Sequence, residues 1–334
     1  MADSSARVVS LCVSGFIGAN EALRSIARGS TLIRHFVMTD AQVNGPESQF
    51  LQAHIRDLRP KTLIVGGWSA HYEPFLSMAR RGVDIGVYWT STGAQTEIGS
   101  EIARFGDILA SPRIKYLLCI DPALAESPLE QGKTTLCLPT KMPAVPRRLP
   151  RRPRIGPRDR AVLSLFCSPH EYARKNVLNT LLAVAALRRP YVLYLNGLSQ
   201  HDVYGRLLKQ LDITCEDFGW MDRATYEDVV TRVDLGLQAS YIESFGQVVV
   251  DHLIRGIPVV AAAMLPSLRS APKSMARDLM VTNPDDWRDI HVVIDRWLAD
   301  PARARRAAAV LLERLRADDV RRRRMINDVL RRLS

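Results

Sequence analysis

Ser240-Tyr241-Ile242-Glu243-Ser244-Phe245-Gly246-Gln247-Val248-Val249-Val250-Asp251-His252-Leu253-Ile254-Arg255-Gly256-Ile257-Pro258-Val259-Val260-Ala261 reads as a loop, a helix and a strand. Val248, Val249, His252 and Leu253 repeat at helical spacing, and Gly256 stands where a helix end favours a left-handed residue. Ile257 to Ala261 then reads as a buried strand. Glu243 thus lies at the mouth of a helix. The N–H groups of Ser244, Phe245 and Gly246 at a helix start suit a phosphate, and Gly246 admits a ligand close to the backbone. Asp251 follows Phe245 by about 9 Å along the helix axis. The same pattern also suits an ordinary capped helix in an α/β sheet.

The acid, Ser-Phe-Gly, the second acid eight positions after the first, and Gly-x-Pro-Val-Val-Ala resemble the donor-site signature of the retaining family-four glycosyltransferases of GT-B fold. The resemblance implies that Glu243 contacts hydroxyls of the transferred sugar, that Ser244 to Gly246 hold its diphosphate, and that Asp251 binds the nucleotide ribose. The family usually carries Glu at the second place, so Asp251 is one methylene shorter. Lys175-Asn176 matches the family's cation at a strand-to-helix turn, where the side chain meets the donor diphosphate. The Arg expected five residues earlier is His170, and Arg174 stands nearby as a substitute. Thr90 occupies the place where relatives have a sugar-contacting His, and Trp220 with Phe218 lies in the loop that borders the base in relatives.

At 334 residues the chain holds two domains of ordinary size. In the first half, Val8 to Val13, Leu32 to Met38, Thr62 to Val65, Ile85 to Trp89 and Tyr116 to Ile120 read as strands. Helical patterns near 19–28, 47–59, 71–81 and 95–105 separate them. That alternation predicts a parallel sheet with helices on both faces, whose ligands sit beyond the carboxyl ends of the strands. The fold class expected is therefore α/β, with two Rossmann-like domains whose parallel sheets face each other across a cleft, as in GT-B relatives. Residues 1–140 form the acceptor-side domain, 141–159 an Arg/Pro-rich linker, and 160–300 the nucleotide-sugar domain. Two basic helices over 301–334 follow, and the resemblance implies that the last crosses back onto the first domain. The similarity is close over about residues 160–300 and architectural before them.

Ser14 to Asn20 forms the first loop after a strand, with Gly15 and Gly18 placed to admit donor or acceptor near the backbone. Gly-Phe-Ile-Gly here also occurs in dinucleotide-binding folds. Those need an earlier glycine, and Leu11, Cys12 and Val13 stand there instead.

The net charge of +11 is concentrated. Residues 141–160 carry eight Lys/Arg against one acid and residues 301–334 eleven against four, while the remainder is slightly acidic. Such localised charge fits an anionic membrane surface or nucleic acid, and equally a solvated helix face. No apolar run of eighteen residues and no signal-peptide pattern occurs, so the expected location is cytoplasmic, at most peripheral at the inner membrane surface. Cys12, Cys119, Cys137 and Cys167 are scattered in apolar runs, which suits reduced, buried thiols. No Asp-x-Asp, His-Glu-x-x-His or Cys/His cluster appears, so neither a metal nor a cofactor is expected.

The function expected is transfer of a sugar from a nucleotide-diphosphate sugar, as donor substrate, to a hydroxyl acceptor on a saccharide, a lipid-linked saccharide or another molecule. Two alternatives stay open: a nucleotide-sugar-binding protein without turnover, and a glycosyltransferase acting on nucleic acid.

Overall fold

The computed structural model describes residues 7–39, 42, 47–92, 96, 101–127, 132–142, 160–168, 171–263, 265–268, 271 and 280–334. The chain divides into two compact units, residues 1–143 with 319–334, and residues 144–318. Most of the proposed linker, residues 143–159, lies outside the described residues, as does His170.

The first unit alternates β1 (Val8–Val13), α1 (Ile17–Ala27), β2 (Ile33–Met38), α2 (Glu47–Asp57), β3 (Thr62–Gly66), α3 (Glu73–Leu76), β4 (Asp84–Trp89), α4 (Glu101–Ala110), β5 (Ile114–Cys119), α5 (Pro122–Ala125) and β6 (Thr134–Cys137). Its six strands are parallel in the order β2-β1-β3-β4-β5-β6. Every residue of β1 and β3 is buried, as a parallel sheet covered on both faces requires. The order reverses between β1 and β3. The helix expected over 71–81 is instead the single α turn of α3 between 3₁₀ turns Ala70–Tyr72 and Ser77–Arg81. Pro74 lacks the amide that a longer ladder needs, and Gly82 ends the segment at φ 79°.

The second unit runs β7 (Ala161–Leu165), α6 (Val177–Ala185), β8 (Tyr191–Leu195), α7 (Asp202–Gln210), β9 (Cys215–Asp217), α8 (Arg223–Thr231), β10 (Leu235–Gln238), α9 (Gln247–Leu253), β11 (Val259–Ala262), β12 (Met280–Val281) and α10 (Trp287–Ala299). Its sheet is also parallel, in the order β12-β11-β10-β7-β8-β9, with the reversal between β7 and β10. The last strand of the opening stretch starts at Val259, two residues later than expected, because the Ile257 N–H turns back to the His252 carbonyl and Pro258 has no N–H to give the ladder.

The last element corrects the sequence reading. One helix, α11 (Pro301–Leu333), replaces the two expected. Past Pro301 it contains neither Gly nor Pro, and Asp319 pairs with Arg323 one turn on instead of ending the helix. Ile326, Val329, Leu330 and Leu333 are buried in a cluster with Val8, Leu23, Ile64 and Leu118 of the first unit. The Thr62 hydroxyl donates to the Leu333 carbonyl at 2.7 Å. Val320, earlier in the same helix, is 52% exposed. Burial pushes the Cys12, Cys119 and Cys167 thiols up to about 12, so these remain protonated and unreactive at neutral pH.

Candidate active site

In a doubly wound sheet two neighbouring strands at the reversal send their following chains to opposite faces, leaving a crevice beyond their carboxyl ends. In the second unit the strands are β7 and β10. The segment after β7 is fixed first by Asn196, whose amide accepts from the Cys167 N–H at 2.9 Å and donates to the Cys167 carbonyl at 3.0 Å. It then closes a turn through Lys175 N–H to Glu171 O at 2.9 Å. Asn176 sits at φ 55°, a left-handed position that Asn tolerates better than most side chains. Its amide donates to the Ala239 carbonyl at 3.0 Å and the Pro284 carbonyl at 2.6 Å, tying this turn to the segment after β10. The Tyr241 N–H donates to the Arg174 carbonyl at 3.0 Å and completes the join.

These ties bring Lys175, Arg174 and Glu243 together. Lys175 Nζ donates to Glu243 Oε1 at 2.5 Å, and Arg174 reaches Glu243 Oε2 at 3.3 Å, the Ile242 carbonyl at 2.8 Å and Glu171 at 2.5 Å. Gln238, the last residue of β10, donates from Nε2 to Glu243 Oε1 at 2.9 Å and to the Ser240 hydroxyl at 2.6 Å. Lys175 and Glu243 are both buried. Burial by itself pushes the Glu243 carboxyl up, but the charges of Lys175 and Arg174 overcome it and hold the group below the usual carboxylate range. Glu243 is therefore ionised at neutral pH, with Lys175 and Arg174 facing its buried carboxylate.

Ser244, Phe245 and Gly246 lie in the loop between this cluster and α9, with helical residues starting at Gln247. Gly246 has φ 84°, and a Cβ there would stand 2.9 Å from the Ser267 hydroxyl. The hydroxyl of Ser267 and the Oε1 of Gln238 are buried without a hydrogen-bond partner among the described residues. Native proteins leave few such groups unpaired, and ligands are one of the usual partners. Both lie next to residues of this site.

Asp251 is buried in the middle of α9 and is engaged by Arg223, from Nη1 to Oδ2 at 3.0 Å and from Nη2 to Oδ1 at 3.1 Å. Gln247 adds a contact at 3.2 Å. Trp220 follows β9 and is 59% exposed, whereas Phe218 packs edge-on against Tyr194 at 5.0 Å. The loops here are shaped by Asp217, which accepts from the amides of Gly197, Ser199 and Gly219 at 2.5, 2.7 and 2.9 Å. Burial pushes the Asp217 carboxyl up, and these donors more than offset it, holding it low.

The remaining residues named from sequence belong to the first unit. Gly15 lies exposed in the loop after β1, and Thr90 follows β4, half-buried. Gly18 is not in that loop but in the first turn of α1, because the Asn20 N–H already bonds the Phe16 carbonyl. Arg223, Gln238, Asn196, Asp217 and Ser267 were not singled out by sequence reading. A signal existed for Gln238, a polar residue closing an otherwise apolar strand. The others are joined to the site only by the fold.

Among the described residues no group of three or more His, Cys, Asp or Glu side chains is placed to hold a metal, and no helix is long and apolar enough to cross a membrane.

No protein-family profile and no curated protein matches the chain by sequence. Solved structures do match by shape. Sucrose-phosphate synthase from Thermosynechococcus elongatus superposes with a TM-score of 0.70 at 15% identity, over 98% of this chain and 99% of that one. HepE from Anabaena, in complex with UDP-glucose, gives a TM-score of 0.66 at 15% identity over 96% and 99%. WaaG, a glycosyltransferase involved in lipopolysaccharide biosynthesis, gives 0.60 at 15% over 92% and 94%. With two parallel six-stranded sheets flanked by helices and end-to-end correspondence to these structures, the chain has the architecture of the GT-B glycosyltransferases.

Proposed function

We propose that the chain is a glycosyltransferase that moves a sugar from a nucleotide-diphosphate sugar to a hydroxyl acceptor, with retention of configuration. The observation that carries this reading is the buried Lys175–Glu243–Arg174 cluster at the strand-order reversal of the second sheet. A structural ion pair needs one cation. Here a second cation, Arg174, which also pairs with Glu171, and a buried amide converge on the same carboxylate, beside Gln238 and Ser267 atoms that have no hydrogen-bond partner among the described residues. HepE, of similar shape, holds UDP-glucose, a donor of the class proposed.

Glu243 orients the donor sugar through Oε2, which Arg174 reaches only at 3.3 Å, by accepting from a sugar hydroxyl, while Oε1 holds Lys175 and Gln238. Lys175 and Arg174 neutralise the diphosphate, with the Ser244 to Gly246 backbone beside them, and the nucleoside lies toward Asp251 and Trp220. In the reaction the bond from the anomeric carbon to the phosphate oxygen breaks, and the acceptor oxygen bonds that carbon from the same face. The acceptor's proton passes to the departing phosphate oxygen. Electrostatic stabilisation of that leaving group by Lys175 and Arg174 is then the main catalytic contribution.

The test is a thermal-shift and calorimetric screen of UDP, GDP, ADP and their sugar conjugates, on wild type and Glu243→Ala. Ligand at 100 times its dissociation constant adds about 2.7 kcal/mol of stability. One stabilising donor, weakened by Glu243→Ala, is the expected outcome. Stabilisation without transfer or hydrolysis would instead identify a binding protein without turnover. No stabilisation, together with salt-sensitive binding to nucleic acid or to anionic vesicles, would move the function to the arginine-rich segments.

A further inference from the structure

Asp251 has the position expected of a ribose-binding carboxylate, yet its surroundings do not leave it available. Its side chain is 2% exposed, and each carboxylate oxygen already accepts from one terminal nitrogen of Arg223. Gln247 takes a further position on Oδ1, and Arg255 holds the Asp251 carbonyl at 2.8 Å. The group that faces outward is Arg223, whose side chain is 54% exposed.

The guanidinium is held on several sides. Its Nε donates to Glu227 at 2.7 Å, and its carbon stands 5.4 Å from the centroid of the Tyr226 ring. Glu227 is itself approached by Arg255 at 3.4 Å. A guanidinium has five N–H donors. Asp251 and Glu227 account for about three of them, so one N–H on each terminal nitrogen has no partner among the described residues. Arg223 starts α8, immediately after the loop that carries exposed Trp220.

We propose that Arg223 is the residue that meets the donor nucleoside, donating its two remaining N–H groups to the ribose hydroxyl oxygens, and that Asp251 is the positioning residue that holds it there. This rests on the donor-site reading above. It reverses the polarity of the contact, because a carboxylate accepts from ribose hydroxyls whereas a guanidinium donates to them.

The test is calorimetric titration of the full chain with UDP and with GDP, for wild type, Arg223→Ala, Arg223→Lys, Asp251→Asn and the double variant Arg223→Ala/Asp251→Asn. Removing Arg223 alone strands a buried carboxylate and can cost folding, so the double variant, which removes the charge with its partner, and Arg223→Lys keep the experiment decisive. Expected are a loss of about tenfold or more for Arg223→Ala, the size of a charged hydrogen bond, and a smaller loss for Asp251→Asn. The double variant should be no weaker than Arg223→Ala, because Asp251 acts only through Arg223. Arg223→Lys should recover part of the affinity. If Arg223→Ala binds as well as wild type or better, or if the double variant is clearly weaker than Arg223→Ala, the ribose contact belongs to Asp251 and the proposal falls while the donor site stands. If wild type binds neither of these nucleotides nor ADP, both fall together.

Discussion

The two sheets have the same number of strands and the same parallel sense, and each has one reversal of strand order, yet the two reversals are filled with different chemistry. In the first unit the crevice between β1 and β3 is closed by a tyrosine. The Tyr72 hydroxyl accepts from the Val13 N–H at 3.0 Å and donates to the Gly66 carbonyl at 2.7 Å, joining the two strand ends. The adjoining residues Ser14, Gly15, Phe16, Gly67, Trp68 and Ser69 include no Lys, Arg, Asp or Glu. In the second unit the crevice between β7 and β10 holds Lys175, Arg174 and Glu243, with Gln238 beneath. A reversal provides a place for a ligand. On the proposed reading, the chemistry belongs to the sheet whose reversal keeps charge, not to the one filled by the chain's own neutral side chains.

The sharpest way to break this contrast is Lys175→Ala. Loss of one preorganised donor to a developing anion costs about 10²–10³ in turnover, and initial rates with the donor identified by the ligand screen measure it. A variant with undiminished turnover would reduce the cluster to a structural ion pair, and the two crevices would no longer differ in kind.

The matching change in the first unit is Tyr72→Phe. It leaves the buried Val13 N–H without its acceptor, at a cost of about 1–3 kcal/mol in stability. Urea unfolding should show that loss while nucleotide affinity stays unchanged. A large fall in affinity with intact stability would instead bring the first crevice into the donor site.

A smaller effect is expected at Gly246→Ala. At φ 84° an L-residue costs about 1–2 kcal/mol, and the added methyl would stand 2.9 Å from the Ser267 hydroxyl. Melting of the apo protein should register the strain. Titration with nucleotide should show a further loss if this loop lies against the diphosphate, and stability loss without any affinity change would remove the loop from the site.

How much of this was legible beforehand follows from what a sequence records. Apolar runs broken by helical spacing placed β1 and β4 to within a residue, and the Glu243 to Gly256 register marked the loop and helix that follow β10. β6 and α7 were not anticipated. β6 has four residues, too few for a period to show. α7 carries Gly205 in its interior, which reads as a break until the fold shows that a Cβ there would lie 2.4 Å from the Ser199 carbonyl. Partnerships were the least visible. Asp251 was chosen by its distance from Glu243 along the chain, but Arg223 reaches it from 28 positions away, across a helix and a strand. Tyr72 and Val13 are likewise 59 positions apart. Spacing identifies residues that can act, and only the fold shows which of them are already occupied.

The smallest expected difference is in acid, where the units should loosen at different pH. In the first unit His35 lies between the Ser10 hydroxyl at 2.9 Å and the Asn20 amide oxygen at 2.8 Å. Burial, with a lesser contribution from the Arg24 charge, lowers its pKa to about 4. The folded state thus favours the neutral ring, while the unfolded chain takes up a proton near pH 6.5. Stability from this group is fully present above about 6.5 and is lost as the pH falls toward the folded value of about 4. Glu243 also has a lowered pKa, but its reference is a carboxyl near 4.3. Its contribution is present above that value and is lost only below it, as the folded group takes up a proton. Between pH 6.5 and 4.5 the segments around His35 should therefore gain hydrogen exchange relative to neutral pH, while those around Lys175 and Glu243 should not. Below pH 4 the second unit should follow, and Glu243→Gln should remove that later step. Equal opening of both sites at pH 5 would mean that neither group governs the acid response of its unit, because a neutral imidazole and an ionised carboxylate cannot be lost over the same interval.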